Sequence, residues 1–248
     1  MKRKPAAGGR IETGGAVCLT GGVDVGWASI KTVLLMHTLA GDEIIGANRT
    51  IVSGAREPRD LRSALRTSWA GVLTAAGVSD ADVAYVASTG MRDQVAFRVG
   101  HFFGRHCQGM GARFLFPQAA AFLDWGRQQT SCGIIDQSGH VLRRVMRRTE
   151  LDVAAVAGTV IGTLTAEAAN GPVAMIGGRT ADRALLALLE QELQARRPSV
   201  VVLSSEEGIF AAAYGAALMA ARRFRRLSRR MVAARWQRVP LVFPPWVN

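Results

Sequence analysis

Two short stretches set a carboxylate just ahead of a glycine turn. "VDVGWASIK" places Asp24 and Gly26 before Ser29 and Lys31, and "LDWGRQQ" places Asp124 and Gly126 before Gln128. Glycine lets the backbone approach an anion closely, and successive N–H groups of such a turn can cradle phosphate oxygens. Ser29 adds a hydroxyl and Lys31 a point charge. Asp24 is poorly suited to touch phosphate itself. It is well suited to hold hydrated Mg²⁺, which keeps most of its waters and accepts one or two carboxylates. At the second loop Gln128 can orient a water. A third stretch, "MIGGRTADRALL", ends a strand on Gly177 and Gly178 and opens a helix, which suits a planar nucleoside and favours an anion. Phosphoryl transfer needs mainly positioning and charge neutralisation, and loops of this kind supply both. The structural alternatives are an ordinary hairpin whose turn Asp24 caps and a helix C-cap at Gly126.

The elements that carry these residues follow from hydrophobic pattern. Apolar runs at 16–23, 32–37 and 43–52 predict three strands, with "LAGDE" as a hairpin turn between the last two. Residues 59–76 predict a helix, because Leu61, Leu65, Trp69 and Val72 share one face. "VAYVASTG" then reads as a short buried strand, and three strands, a helix and a strand begin a ribonuclease-H-type α/β unit. In the second half, "PQAAAF" predicts a short helix start, a strand follows near Asp124, and "DQSGH" is a turn between two further strands. About 151–169 reads as a helix, "GPVAMIGG" as a strand running into paired glycines, 181–194 as a helix, "SVVVLSS" as a strand and 206–226 as a closing helix. Strand-Asp-x-Gly occurs twice, which hints at two related halves.

With 248 residues, 49% of them hydrophobic, the chain can bury a sizeable core. No apolar run approaches the ~20 residues of a membrane helix, and no secretory core follows "MKRKPAAGGR", so the cytoplasm is the default compartment. Cys18, Cys107 and Cys132 stand far apart, against a disulfide framework or a single-chain zinc site. The net charge of +12 belongs to the ends: Lys2, Arg3, Lys4 and Arg10 at one, and Arg222, Arg223, Arg225, Arg226, Arg229, Arg230, Arg235 and Arg238 near the other.

The stretches "GVDVGWASIKTVLL", "VASTG", "GHFFGRHCQGMGARFLFPQAAAFLDWG", "MIGG" and "YGAALMAA" resemble, in that order, the ATPase (activase) subunits of benzoyl-CoA reductases and 2-hydroxyacyl-CoA dehydratases. These belong to the actin–hexokinase–heat-shock chaperone superfamily. The resemblance implies an α/β fold of two ribonuclease-H-like domains clamping ATP and Mg²⁺. It implies 16–115 as the first ribonuclease-H-like domain and 116–226 as a second, shortened one, while composition marks 1–15 as a basic disordered leader and 227–248 as an Arg- and Pro-rich tail. Asp24, Gly26, Ser29 and Lys31 become the first phosphate loop, with Asp24 holding Mg²⁺ through water. Asp124, Gly126 and Gln128 become the second, and Gly177 and Gly178 the adenosine loop. The implied partners are ATP, a second copy or a paralogous subunit, and an acyl-CoA reductase or dehydratase complex receiving a low-potential electron.

Several positions depart from that pattern. Glu150 stands where the family carries a cluster cysteine, Gln108 where it carries a histidine, and Arg127 and Gln129 replace a Gly and an Asp of the second loop. Thiolates are the usual iron–sulfur ligands, so no [4Fe–4S] cluster is expected in the isolated chain. Trp125 is expected to crowd the second loop. A non-catalytic paralogue serving a structural or regulatory role is the alternative reading, and a small-molecule kinase is disfavoured. "ARRFRRLSRRMVAARWQR" could form a basic amphipathic helix for an acidic partner, nucleic acid or lipid. A solvated helix whose Arg stems pack on the body is preferred to a nucleic-acid surface.

Overall fold

The first apolar run forms β1 (Ala16–Val25), turns at 26–28, returns as β2 (Ser29–Thr38) and turns again into β3 (Asp42–Ile51). The computed structural model describes residues 16–52, 58–91, 95–148, 152–167 and 169–236; the basic leader, Glu150 and the Pro-rich end from 237 lie outside them. Next comes α1 (Pro58–Ala76), and its Leu61, Leu65, Trp69 and Val72 are all buried, as one helical face should be. β4 (Tyr85–Gly90) runs parallel to β1 and β5 (Gly100–His101) parallel to β4, in the order β3-β2-β1-β4-β5.

The second half repeats the plan. β6 (Ala121–Trp125), β7 (Gln129–Ile135) and β8 (Val141–Arg148) form an antiparallel meander. After α3 (Val153–Ala166), β9 (Val173–Ile176) lies parallel to β6, and after α4 (Arg183–Arg196), β10 (Val202–Leu203) lies parallel to β9. The order β10-β9-β6-β7-β8 matches the first sheet strand for strand, a duplicated α/β architecture of the ribonuclease-H-like kind. The shortening expected of the second half leaves these five strands in place. Both α3 and α4 start on carboxylate caps. Asp152 Oδ1 accepts from the Ala154 N–H at 2.9 Å and Asp182 Oδ1 from the Leu185 N–H at 3.1 Å.

Two helices lie between the sheets, α2 (Gly104–Leu115) and α5 (Ala211–Trp236). α2 packs Ala112 on the second sheet among Phe122, Ile135, Ala174 and Ile176. α5 follows the second sheet in sequence but packs back on the first, setting Ala213, Ala217 and Leu218 against Val33 and Leu35. The outer faces are covered by α1 on one side and by α3 and α4 on the other. Where α2 and α5 cross, backbone meets backbone. A Cβ at Gly111 would lie 1.7 Å from the Ala211 carbonyl oxygen, and one at Gly215 would lie 1.9 Å from that of Cys107.

The pattern does not predict α2, because its three glycines are poor helix formers. They are needed for the crossing, and packing overrides propensity. The helix start expected at "PQAAAF" is a turn leading into β6, and 206–210 is a 3₁₀ turn ahead of α5. Farther along α5, Phe224 and Leu227 pack near Tyr85 and Ala87 while Arg222, Arg223, Arg225 and Arg226 stay exposed. A buried polar chain ties this helix to the first sheet. His37 Nε2 meets Thr20 Oγ1 at 2.7 Å, Thr20 Oγ1 donates to the Ala217 carbonyl at 2.9 Å, and His37 Nδ1 meets Asp42 Oδ1 at 2.6 Å. The His37 hydrogen bond, aided by the charges of Arg225 and Arg222, holds the Asp42 carboxyl below its ordinary value.

Two outcomes are expected. Gly215→Ala should lower stability by about 2 kcal/mol or more in urea unfolding, since a backbone carbonyl has to move; an unchanged midpoint would show a looser crossing. The lowered Asp42 value adds stability above the ordinary carboxylate range that is lost as pH falls through the depressed folded value. Asp42→Asn should therefore be less stable than wild type at pH 7, with the gap closing toward pH 3. A gap independent of pH would contradict this.

Candidate functional site

Each Asp-x-Gly sits at the C-terminal end of the first strand of its sheet, and the two turns are built alike. Asp24 pairs across the hairpin with Lys31, and Asp124 with Ser131. The Gly26 N–H donates to the Ser29 carbonyl at 3.2 Å and the Gly126 N–H to the Gln129 carbonyl at 3.0 Å. Between them opens a cleft of about 740 Å³ lined by Asp24, Gly26, Ser29, Lys31, Asp124, Gly126, Gln128, Gly177 and Gly178. The structure thus brings these nine phosphate-loop and nucleoside-loop candidates to one cavity.

Lys31 is a buried cation, and its Nζ donates to Asp24 Oδ2 at 2.9 Å. Opposite lies Asp124, whose Oδ2 accepts from Gln108 Nε2 of α2. Enclosure by protein and the nearby negative charge of Asp24 push the Asp124 carboxyl up to about 7, against the pull of Lys31 and Arg144. Gly177 is held with φ +92°, and a Cβ there would lie 2.1 Å from Asp124 Oδ1. Only glycine fits beside that carboxylate.

Trp125 does not crowd the loop. Side chains alternate along a strand, so with Asp124 facing the cleft the ring points the other way, fully buried in the core beneath the second sheet. The aromatic at the cleft's lip is Trp27, 65% exposed.

Sequence reasoning missed three residues as site components. Gln108 stood out only as a departure from a family pattern, yet α2 carries it to Asp124. Arg144 of β8 lines the cleft and its Nη2 donates to Ser131 Oγ at 3.1 Å. Arg179 follows the paired glycines, its guanidinium 5.9 Å from the Trp125 ring centroid. The period-two pattern of "VLRRVMRR" puts Arg144 on the other face from Arg143, which was the available signal. Thr89 Oγ1, Gln108 Oε1 and Arg144 Nε are buried without a hydrogen-bond partner among the described residues. Such orphaned groups suit a polar ligand or ordered water.

Neither His101 nor His106 lines this cleft. His101 Nδ1 lies 3.0 Å from Ser88 Oγ, and His106 takes a contact from its neighbour Arg105. Cys107 lies in the core beside α5 and Cys132 in that beneath the second sheet, and burial pushes both thiols up to about 12. Neither is poised as a thiolate ligand. No helix among the described residues is long and apolar enough to cross a membrane.

Comparison with known proteins adds to this geometry. No family profile matches the chain. A benzoyl-CoA reductase subunit from Thauera aromatica is 26% identical over 277 aligned residues, covering 85% of this chain and 96% of that protein. Among solved structures, component A of (R)-2-hydroxyglutaryl-CoA dehydratase from Acidaminococcus fermentans superposes with a TM-score of 0.68 at 20% identity, over 84% of this chain and 99% of that one. The activator of 2-hydroxyisocaproyl-CoA dehydratase from Clostridium difficile, solved with bound ADPNP, gives a TM-score of 0.70 at 16% identity, over 91% of this chain and 100% of that one.

The raised Asp124 value has a measurable consequence. An unfolded aspartate ionises near ~3.9, so between that pH and about 7 the unfolded chain binds fewer protons and stability falls as pH rises. Asp124→Asn removes that loss and can still accept from Gln108. The ligand-free variant should be more stable than wild type at pH 8, and the advantage should vanish near pH 4. A less stable variant at pH 8 would show that Asp124 supports the fold as an anion.

Proposed function

From the chain's homology to the activase-type ATPase subunits of benzoyl-CoA reductases and 2-hydroxyacyl-CoA dehydratases, we propose that it is a cytoplasmic ATP-binding subunit that clamps Mg-ATP between its two halves. The observation that carries this is the convergence of three loops, at Asp24–Lys31, Asp124–Gln128 and Gly177–Gly178, on one cleft. Gly26 and Gly126 let the two hairpin turns approach phosphate oxygens. Ser29 and Lys31 donate to them from one side. Gly177 and Gly178 leave room for the nucleoside, and Gln128 aims a water at the terminal phosphate.

The donor set fits Mg²⁺. Asp24 and Asp124 enter the cleft from opposite sheets, and the orphaned Gln108 and Thr89 oxygens can accept from its waters. Asp24 would hold the ion through water, and Asp124 would face it from the other sheet. The ion would supply charge neutralisation for the phosphates. Lys31 holds the Asp24 carboxylate in place, and Gln108 does the same for Asp124.

A [4Fe–4S] cluster does not fit the cysteines described. Cys107 and Cys132 are buried in different cores with thiols raised in pKa, and Glu150 lies outside the described residues. Electron transfer to an acyl-CoA reductase or dehydratase would then need a cluster-bearing partner, either a paralogous subunit or a second protein. A structural or regulatory paralogue that binds nucleotide without turnover is the second reading, favoured by Arg127 and Gln129 in the second loop. The exposed Arg222, Arg223, Arg225 and Arg226 of α5 are read as a solvated face and not as a nucleic-acid surface.

Calorimetric titration of Mg-ATP, with iron and sulfide analysis on the same anaerobically purified sample, tests the proposal. Wild type should bind, Asp24→Ala should bind about tenfold or more weakly, and no iron should co-purify. Affinity indifferent to Asp24, or stoichiometric iron, would overturn it.

A further inference from the structure

The two halves of the cleft are built alike except for their cations. In the first half, Lys31 stands opposite Asp24 on the neighbouring strand and donates to it, Nζ to Oδ2 at 2.9 Å, with further ammonium protons left for phosphate. The matching position in the second half is Ser131, opposite Asp124, which carries no charge. The missing cation comes from one strand farther out. Arg144 of β8 pairs with Gly133, where no side chain obstructs it, and reaches back so that its Nη2 donates to Ser131 Oγ at 3.1 Å. Its Nε is buried with no hydrogen-bond partner among the described residues, and burial pulls its pKa down against the opposing charge of Asp124.

The strand order fixes which part of a ligand Arg144 can meet. From β9 inward the second sheet runs β9, β6, β7, β8, so along this stretch Gly177 comes first, Asp124 and Ser131 next and Arg144 last. Three strand spacings separate the ends, on the order of 14 Å. A nucleotide whose nucleoside rests on Gly177 and Gly178 runs its phosphates past Asp124 and ends beside β8. We propose that Arg144 is a specificity-determining residue of this cleft, receiving the terminal phosphate and selecting nucleoside triphosphates over diphosphates. This rests on the nucleotide reading above and adds to it a residue and a selectivity. A planar guanidinium offers two parallel donors to a phosphate, which the compact Lys31 ammonium, already paired, does not. Ser131 holds the fork by occupying one of its nitrogens and is a positioning residue.

The experiment compares affinities of Mg-ATP, Mg-ADP and AMP for wild type, Arg144→Met, Arg144→Lys and Ser131→Ala, with folding checked by circular dichroism. Arg144→Met should weaken Mg-ATP about tenfold or more while Mg-ADP and AMP change little, so the preference for triphosphate collapses. Arg144→Lys should restore part of that preference, and Ser131→Ala should erode it mildly. Equal losses for ATP and ADP would overturn the proposal, because a residue that only neutralises Asp124 or braces β8 acts on both. No loss at all would overturn it as well. Failure of wild type to bind any nucleotide would instead remove the nucleotide reading itself, a result distinct from binding without selectivity.

Discussion

The close crossing of α2 and α5 is the contact on which the rest of the molecule depends. Each sheet hides its inner face under one of these helices, and the helices touch through bare backbone at Gly111 and Gly215. Side chains there would push the halves apart. With the crossing tight, the C-terminal ends of β1 and β6 face each other, and Gln108 of α2 comes within hydrogen-bonding reach of Asp124. One packing constraint thus sets both the width of the cleft and the orientation of one of its carboxylates. Gly22 belongs to the same arrangement, since a Cβ there would lie 2.0 Å from the Ala213 carbonyl oxygen of α5.

What the crossing brings together is electrostatically costly. Two acids share one cavity, and one of them is enclosed enough to resist ionisation near neutral pH. Lys31 offsets the charge of Asp24 in one half and Arg144 part of that of Asp124 in the other. A ligand carrying a divalent cation between two carboxylates, and phosphates beside two cations, relieves both strains together. That is the physical reason for reading the cleft as a nucleotide site. It also accounts for glycine at 177, where any larger residue would displace the Asp124 carboxylate.

Much of this was legible in the sequence because it is local. Asp-x-Gly after a strand, a Gly-Gly after another, and the helical spacing of Leu61, Leu65, Trp69 and Val72 each depend on a few neighbouring residues. The duplicated sheet followed from the repeated Asp-x-Gly, although the hint was thin. What escaped was non-local. α2 reads as loop because Gly104, Gly109 and Gly111 lower its propensity, and only the facing α5 explains them. Trp125 looked obstructive beside Asp124 until the strand's alternation sent it to the opposite face. Arg144 lay in a run of arginines that reads as a solvated edge, and nothing within eight residues of sequence ties it to Ser131.

The central claim is that both halves of the cleft close on one Mg-nucleotide. Hydrogen–deuterium exchange with and without Mg-ATP tests it most directly, because it reports on each loop separately. The account predicts slowed exchange at 24–31, 124–131 and 176–179 together, appearing only when Mg²⁺ and ATP are both present. Protection confined to one half, or absent from all three, would contradict it.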